Sequence, residues 1–204
     1  MGEALAGGGD LEGAEALVLA SSSPQRRAIL GQLAIPFEAV EPRYEESSAG
    51  LDPVAMVKEH ARGKARSVAH VARGRPVLGV DTAVVLDGRV FGKPAGETEA
   101  AEMLRALGGR AHEVISGLCL LGEGFEVVDH DVTRVLFRAL SERAVQAYVA
   151  SGEWHGRAGA YAIQGLGASL VARIEGDYLN VVGLPAALLV RLVGERFPAA
   201  YHLA

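Results

Sequence analysis

A chain of 204 residues, half of them apolar and 22% charged, has the size and composition of one folded domain with a full core. Its formal net charge of −5 argues against a general nucleic-acid binder, which would carry a basic face, and suits a local anion pocket for a small phosphorylated ligand. No apolar run is long enough to span a membrane, and the single cysteine, Cys119, can form no internal disulfide, so a reducing cytoplasm is the expected setting.

Residues 1–13 are rich in glycine, alanine and acids, with no cationic stretch ahead of an apolar one. They are expected to form a flexible tail, neither a secretory signal nor a transit peptide, before a single domain over residues 14–204. A buried strand, Leu17–Leu19, runs into Ser21-Ser22-Ser23-Pro24, where a serine cap and a first-turn proline start a helix reaching Leu33. Arg26 and Arg27 fall in that first turn, where the helix dipole is already positive and each cation costs roughly 0.3–1 kcal/mol unless an anion joins it. Hydroxyls, free N–H groups and guanidiniums at one helix start describe a phosphate pocket, and two solvated arginines are the plainer reading. Phe37–Val40 reads as a second strand and Glu41–Gly50 as an acidic loop. Within that loop the pair Glu45-Glu46 is either solvated or functional.

Asp52-Pro53 opens a long helix to about Ala72, with Val57, Ala61, Lys64, Val68 and Val71 on one stripe. Lys64 interrupts an apolar face, so its ammonium either snorkels out or is aimed into a cavity. Gly63 costs about 1 kcal/mol in helix propensity and signals close packing. Along the strand Val77–Leu86, alternation puts Asp81 on one face between Gly79 and Ala83, which reads as a notch with an acid in its floor. A buried carboxylate there needs a cation, a metal or water beside it. Asp87-Gly88 makes a hairpin turn, and the return strand Arg89–Pro94 brings Lys93 level with Asp81. A helix from Thr98 to Leu107, strands His112–Leu121 and Phe125–Phe137, and a helix capped by Ser141 and ended by Gly152 follow. His112 and Cys119 read as a hydrogen-bonded structural residue and a core filler, and no pair of the six histidines has metal-ligand spacing. Gly152–Gly167, with Trp154, His155, Arg157, Tyr161 and Gln164, is too polar for core and too aromatic for a linker, a makeup common in ligand-binding loops. A strand, Leu170–Ile174, and a helix, Ala186–Phe197, close the chain.

Five blocks in order carry a resemblance over nearly the whole chain: Leu19 to Arg26, Gly79-Val80-Asp81-Thr82, Gly92-Lys93-Pro94, Gly159 to Gly165, and Asp177 to Pro185. Together they resemble the Maf family of nucleoside triphosphate pyrophosphatases, also named septum-formation inhibitors. The resemblance implies an elongated α/β fold related to the inosine triphosphate pyrophosphatases, with a long curved mixed sheet flanked by helices and a central cleft. It implies hydrolysis between the α- and β-phosphates of a nucleotide. By the same resemblance Ser21, Ser23, Arg26, Lys64 and Lys93 contact phosphate, and Asp81 and Glu46 are the acids that hold a divalent metal, magnesium first and manganese second. Asp81, Glu46 and Lys93 are then the expected catalytic residues, with Asp81 orienting or deprotonating water. Thr82 and Gln164 place the chain in the dTTP/UTP branch, since an amide can pair with both O4 and N3–H of uracil or thymine. The alternatives are a 7-methyl-GTP pyrophosphatase and a nucleotide-sensing regulator of septum formation. The resemblance also implies a homodimer, and the acidic balance and lack of a long apolar run lead us to expect no nucleic-acid or membrane partner. The chain departs from the common family pattern at Gln25, Gly156, Arg157 and Ala162.

Overall fold

The computed structural model of the protein describes residues 16–47 and 50–197, so the expected tail lies outside the described residues. The elements run β1 (Leu17–Ala20), α1 (Pro24–Gln32), β2 (Phe37–Val40), α2 (Pro53–Ala72), β3 (Val77–Leu86), β4 (Arg89–Phe91) and α3 (Glu97–Leu107). They continue with β5 (Ala111–Gly122), β6 (Phe125–Phe137), α4 (Glu142–Ser151), β7 (Val171–Glu175), α5 (Tyr178–Val182) and α6 (Ala186–Arg196). The strands form one mixed sheet in the order β2-β1-β3-β5-β6-β7, with β4 added to β3. β1 pairs in parallel with β2 and β3, and the remaining pairs are antiparallel. This is the α/β mixed sheet with flanking helices that the resemblance implies.

Local signals explain most of the boundaries. Asp52 accepts a hydrogen bond from the Ala55 amide at 2.9 Å ahead of Pro53, and Ser141 accepts one from the Ala144 amide at 3.2 Å. Gly152 ends α4 in the left-handed conformation, φ 74°, that suits glycine. Two elements differ from expectation. The return strand pairs only from Arg89 to Phe91, because the chain leaves the ladder before Pro94, which has no N–H to donate. α5 has five residues, too few for a readable period, and is set by Asp177, whose carboxylate accepts from the Leu179 amide at 2.8 Å.

The sheet separates two apolar layers. On one face Val77, Ala83 and Val85 pack with Val57, Ala61 and Val68 of α2. On the other, Leu78 and Val80 join Leu188 and Leu192 of α6, and Val84 and Leu86 join α3, α4 and Trp154. Of the space read as a notch beside Asp81, the Gly79 side is filled by α2, while Asp81 and Ala83 line an open cavity. A Cβ on Gly79 would lie 2.1 Å from the Ala61 carbonyl oxygen, and one on Gly117 of β5 would lie 2.2 Å from the Val57 carbonyl oxygen. Val57 and Ala61 are one turn apart, so two glycines on adjacent strands let two successive turns of helix backbone rest on the sheet. Gly63 has a related cause, because a Cβ there would overlap the Tyr44 ring at 2.2 Å. At the far end Val71 is 40% exposed and Ala72 is buried in its place, so the inward stripe shifts by one residue in the last turn.

His112 is buried between Phe137 and Tyr161, and its Nε2 lies 2.9 Å from the Tyr161 hydroxyl. Burial pushes its pKa from 6.5 down to about 4. The native ring therefore stays neutral while the unfolded chain takes up a proton, so this contribution is present above pH 6.5 and is lost as pH falls from 6.5 toward 4. Each pH unit in that window costs up to about 1.4 kcal/mol. Urea unfolding at pH 7 and pH 5 should show wild type losing about 2 kcal/mol more than His112→Phe over that interval. Equal losses would remove His112 as the cause.

Candidate active site

The site forms where one edge of β3 is left open. β1 pairs with Val77, Leu78 and Gly79, and β4 pairs on the same edge with Val84, Val85 and Leu86. Residues 80–83 have no ladder partner between them on that edge, while β5 covers the other. A cavity of about 960 Å³ opens at this gap, a volume in the upper part of the range typical of small-molecule sites. Alternation turns Asp81 to one face of β3 and Thr82 to the other, and the gap lets both reach the same hollow.

On the Thr82 face, the start of α1 supplies the cationic group. Ser23 caps the helix, accepting from the Arg26 amide at 3.5 Å while its hydroxyl donates to Gln25 Oε1 at 3.1 Å. The Arg26 guanidinium donates to the Gly183 carbonyl at 2.9 Å, to Ser21 Oγ at 3.2 Å and to Thr82 Oγ1 at 3.3 Å. Burial lowers its pKa, against the pull of Asp81 and Glu46. Thr82 Oγ1 also lies 2.9 Å from the buried Ser116 hydroxyl, so this threonine is engaged in holding Arg26. Gly183 is delivered by α5, the short helix that periodicity could not show. Arg27 is exposed and is not among the residues lining the cavity.

On the opposite face, α2 brings two side chains to Asp81, which is 9% exposed. Lys64 Nζ lies 2.6 Å from Asp81 Oδ1 and 2.7 Å from Glu46 Oε1, so one ammonium joins the two acids. His60, 2% exposed, faces the other carboxylate oxygens: its Nδ1 is 3.3 Å from Asp81 Oδ2 and 4.0 Å from Glu46 Oε2. Burial would raise the Glu46 pKa, but the hydrogen bond and charge of Lys64, with the charges of His60 and Lys93, hold it below its usual value. Sequence reasoning missed His60. Its one available signal was its position four residues before Lys64, which puts both on one helical face.

The remaining walls come from β4 and the loop after α4. Lys93 is exposed at the cavity rim. Gln164 is exposed there too, on a turn fixed by Glu153, whose carboxylate accepts from the amides of Leu166 at 2.9 Å and Gly167 at 3.0 Å. The aromatic residues expected to make this a ligand loop are its anchors. Trp154 and Tyr161 are buried in the core, and Trp154 Nε1 donates to the Val149 carbonyl at 3.0 Å. Gly159 sits at φ 68°, where a Cβ would meet Val84 at 2.9 Å, so the loop lies directly on β3. Gln25, Gly156, Arg157 and Ala162, the departures from the common pattern, all line the cavity. Ser21, Ser23, Arg26, Glu46, Lys64, Asp81, Thr82, Lys93 and Gln164 are thus brought to one hollow.

The pattern of Maf-like proteins matches residues 16–196, which contain every one of these side chains. The chain belongs to the Maf family. A relative from Nitratidesulfovibrio vulgaris, named dTTP/UTP pyrophosphatase, is 47% identical over 92% of this chain and 91% of its own length. Relatives of the same name from Moorella thermoacetica and Symbiobacterium thermophilum are 49% and 47% identical, covering 87% of this chain and 93% and 92% of their own lengths. Among solved structures, the Ham1 protein of Staphylococcus aureus overlaps with a TM-score of 0.44 and 15% identity, over 60% of this chain and 72% of that one, too loosely to carry an argument. Among the described residues of this Maf-family chain, no helix is long and apolar enough to cross a membrane. Glu46, His60 and Asp81 offer ligand atoms all within 4.8 Å of one another, a donor set compatible with a divalent cation.

Proposed function

We propose that this Maf-family chain hydrolyses dTTP and UTP to the nucleoside monophosphate and pyrophosphate. The observation that carries the reading is the convergence, at the open edge of β3, of an acid-bearing face and a guanidinium-bearing face on one nucleotide-sized cavity. The names of relatives at 47–49% identity support the choice of nucleotide.

The chemistry follows from the side chains in place. Arg26, held in a fixed orientation by three acceptors, and Lys93 at the rim neutralise the polyphosphate. Lys64 keeps Asp81 Oδ1 and Glu46 Oε1 turned toward each other, which leaves Asp81 Oδ2 and Glu46 Oε2 for other partners. Asp81 takes a proton from water as the water oxygen bonds to the α-phosphorus; the bridging P–O bond breaks and pyrophosphate leaves with its electron pair. Glu46 and Asp81 would hold magnesium, which supplies charge neutralisation on the phosphates when bound. Gln164 reads the pyrimidine edge. Lys64 therefore acts first on the acids, and the direct phosphate contact is left mainly to Arg26 and Lys93.

A panel of dTTP, UTP, dATP and 7-methyl-GTP with magnesium, read as pyrophosphate release, tests the whole reading. Turnover of dTTP and UTP should exceed that of 7-methyl-GTP by about tenfold or more, because hydrogen-bonded base readout discriminates strongly. The reverse order would overturn the base assignment, and tight binding without release of pyrophosphate would replace the enzyme with a nucleotide sensor.

A further inference from the structure

We infer that His60 is a third ligand of the cation site and turns it toward first-row transition-metal dications, manganese and cobalt, over magnesium. The inference deepens the proposed function, because it rests on Glu46 and Asp81 being cation ligands there.

The geometry around the imidazole is specific. Lys64 occupies one oxygen of each carboxylate, Asp81 Oδ1 and Glu46 Oε1. The second oxygen of each is the one nearer His60 Nδ1, at 3.3 Å for Asp81 and 4.0 Å for Glu46. In an octahedron with bonds of about 2.1 Å, adjacent corners lie about 3 Å apart and opposite corners about 4.2 Å, so these separations are the right size for one shared ion. The other ring nitrogen, Nε2, lies 3.4 Å from the Ser47 carbonyl oxygen, which can only accept. A histidine that donates one N–H to a backbone carbonyl and presents the other nitrogen to a pair of carboxylates has the arrangement of a metal ligand. The acceptor-only Ser47 carbonyl lies beside Nε2, and the Nδ1 side, which faces the two carboxylates, is the side a cation can share with them.

Position and burial agree. His60 is 2% exposed, sits on α2 one turn before Lys64, and has the Tyr44 ring edge-on at 5.9 Å. The ring is held against the acids by the same close approach of α2 that Gly79 and Gly117 permit. An all-oxygen site of two carboxylates and water suits magnesium, which gains little from a nitrogen donor. One imidazole changes the ranking, because affinity for nitrogen ligands rises from manganese to cobalt along the first row.

The test uses the untagged full chain without nucleotide, so that no added histidines compete. Isothermal titration with magnesium, manganese and cobalt chlorides should give affinities rising in that order. In His60→Leu the cobalt and manganese affinities should fall by about tenfold or more, with magnesium changing by less than about threefold. Pulsed electron paramagnetic resonance of the manganese-loaded protein should show coupling to an imidazole nitrogen, and that coupling should vanish in His60→Leu. If leucine unfolds the helix, His60→Gln, which keeps similar bulk and a polar end, takes its place and should lose the coupling equally. Absence of nitrogen coupling in wild type, or its persistence in a folded His60 variant, overturns the inference. The nucleotide panel is separate: dTTP turnover with no imidazole coupling sinks only the role of His60, and coupling without turnover sinks only the nucleotide reading.

Discussion

Asp81→Asn is expected to lower kcat for dTTP by about a thousandfold while KM changes by less than about threefold, the pattern of losing a group that acts on the proton in flight. The amide has the shape of the carboxylate and keeps one oxygen that can accept from Lys64, now at 2.6 Å from Asp81 Oδ1. It cannot take a proton from water, and it removes a charge from the cation site. Lys64 retains Glu46 at 2.7 Å, so the ammonium is not left alone and the fold should survive. Steady-state kinetics and a thermal melt on the same preparation separate the two effects. A melt within a few degrees of wild type with kcat undiminished would remove Asp81 from the chemistry.

Replacing Gly79 by alanine should damage stability and activity together. The added carbon would stand 2.1 Å from the Ala61 carbonyl oxygen and 2.9 Å from both the Ala65 amide nitrogen and its Cβ. The obstruction is mainly helix backbone, which cannot rotate aside as a side chain would, so α2 must lift from the sheet. Overpacking of this kind costs about 1–3 kcal/mol, and here the helix carries His60 and Lys64 away from Asp81 as it moves. Gly79→Ala should therefore lose about 2 kcal/mol of stability in urea unfolding and about tenfold or more in kcat/KM for dTTP. Gly31→Ala is the control. It lies in α1 with nothing near the added carbon, and should gain about 0.5–1 kcal/mol from the lower backbone entropy of alanine. Equal behaviour of the two variants would mean that α2 does not rest on the sheet as described.

Local chemistry made much of this legible from sequence. The serine-proline start of α1, the Asp52-Pro53 start of α2 and the alternating run through Asp81 are short-range signals, and their elements lie where those signals put them. What sequence could not give is long-range. The open edge of β3 exists because β1 pairs in parallel with residues 77–79, and β1 lies about sixty residues upstream of β3. Gly79 was correctly marked as unusual and wrongly explained, since a missing side chain looks the same from sequence whether a ligand or a helix fills the room. His60 escaped because an apolar stripe was traced through Val57, Ala61 and Lys64, and one histidine on a packed face more often serves structure than chemistry. The loop read as ligand-binding from its makeup does reach the cavity, with Trp154 as a buried root and Tyr161 both buried and lining the hollow.

The two-sided use of β3 has a consequence for the charges themselves. Were Arg26 and Asp81 on one side of the strand, as Lys64 and Asp81 are, they would close on each other and spend their opposite signs internally. The main chain between residues 80 and 83 acts as a partition, so Asp81 pulls on the guanidinium from across the strand while its carboxylate pairs with Lys64, and both groups look into the same opening. A polyanion entering at that edge meets attraction on one flank and a proton acceptor on the other, each preserved by the thickness of a single backbone.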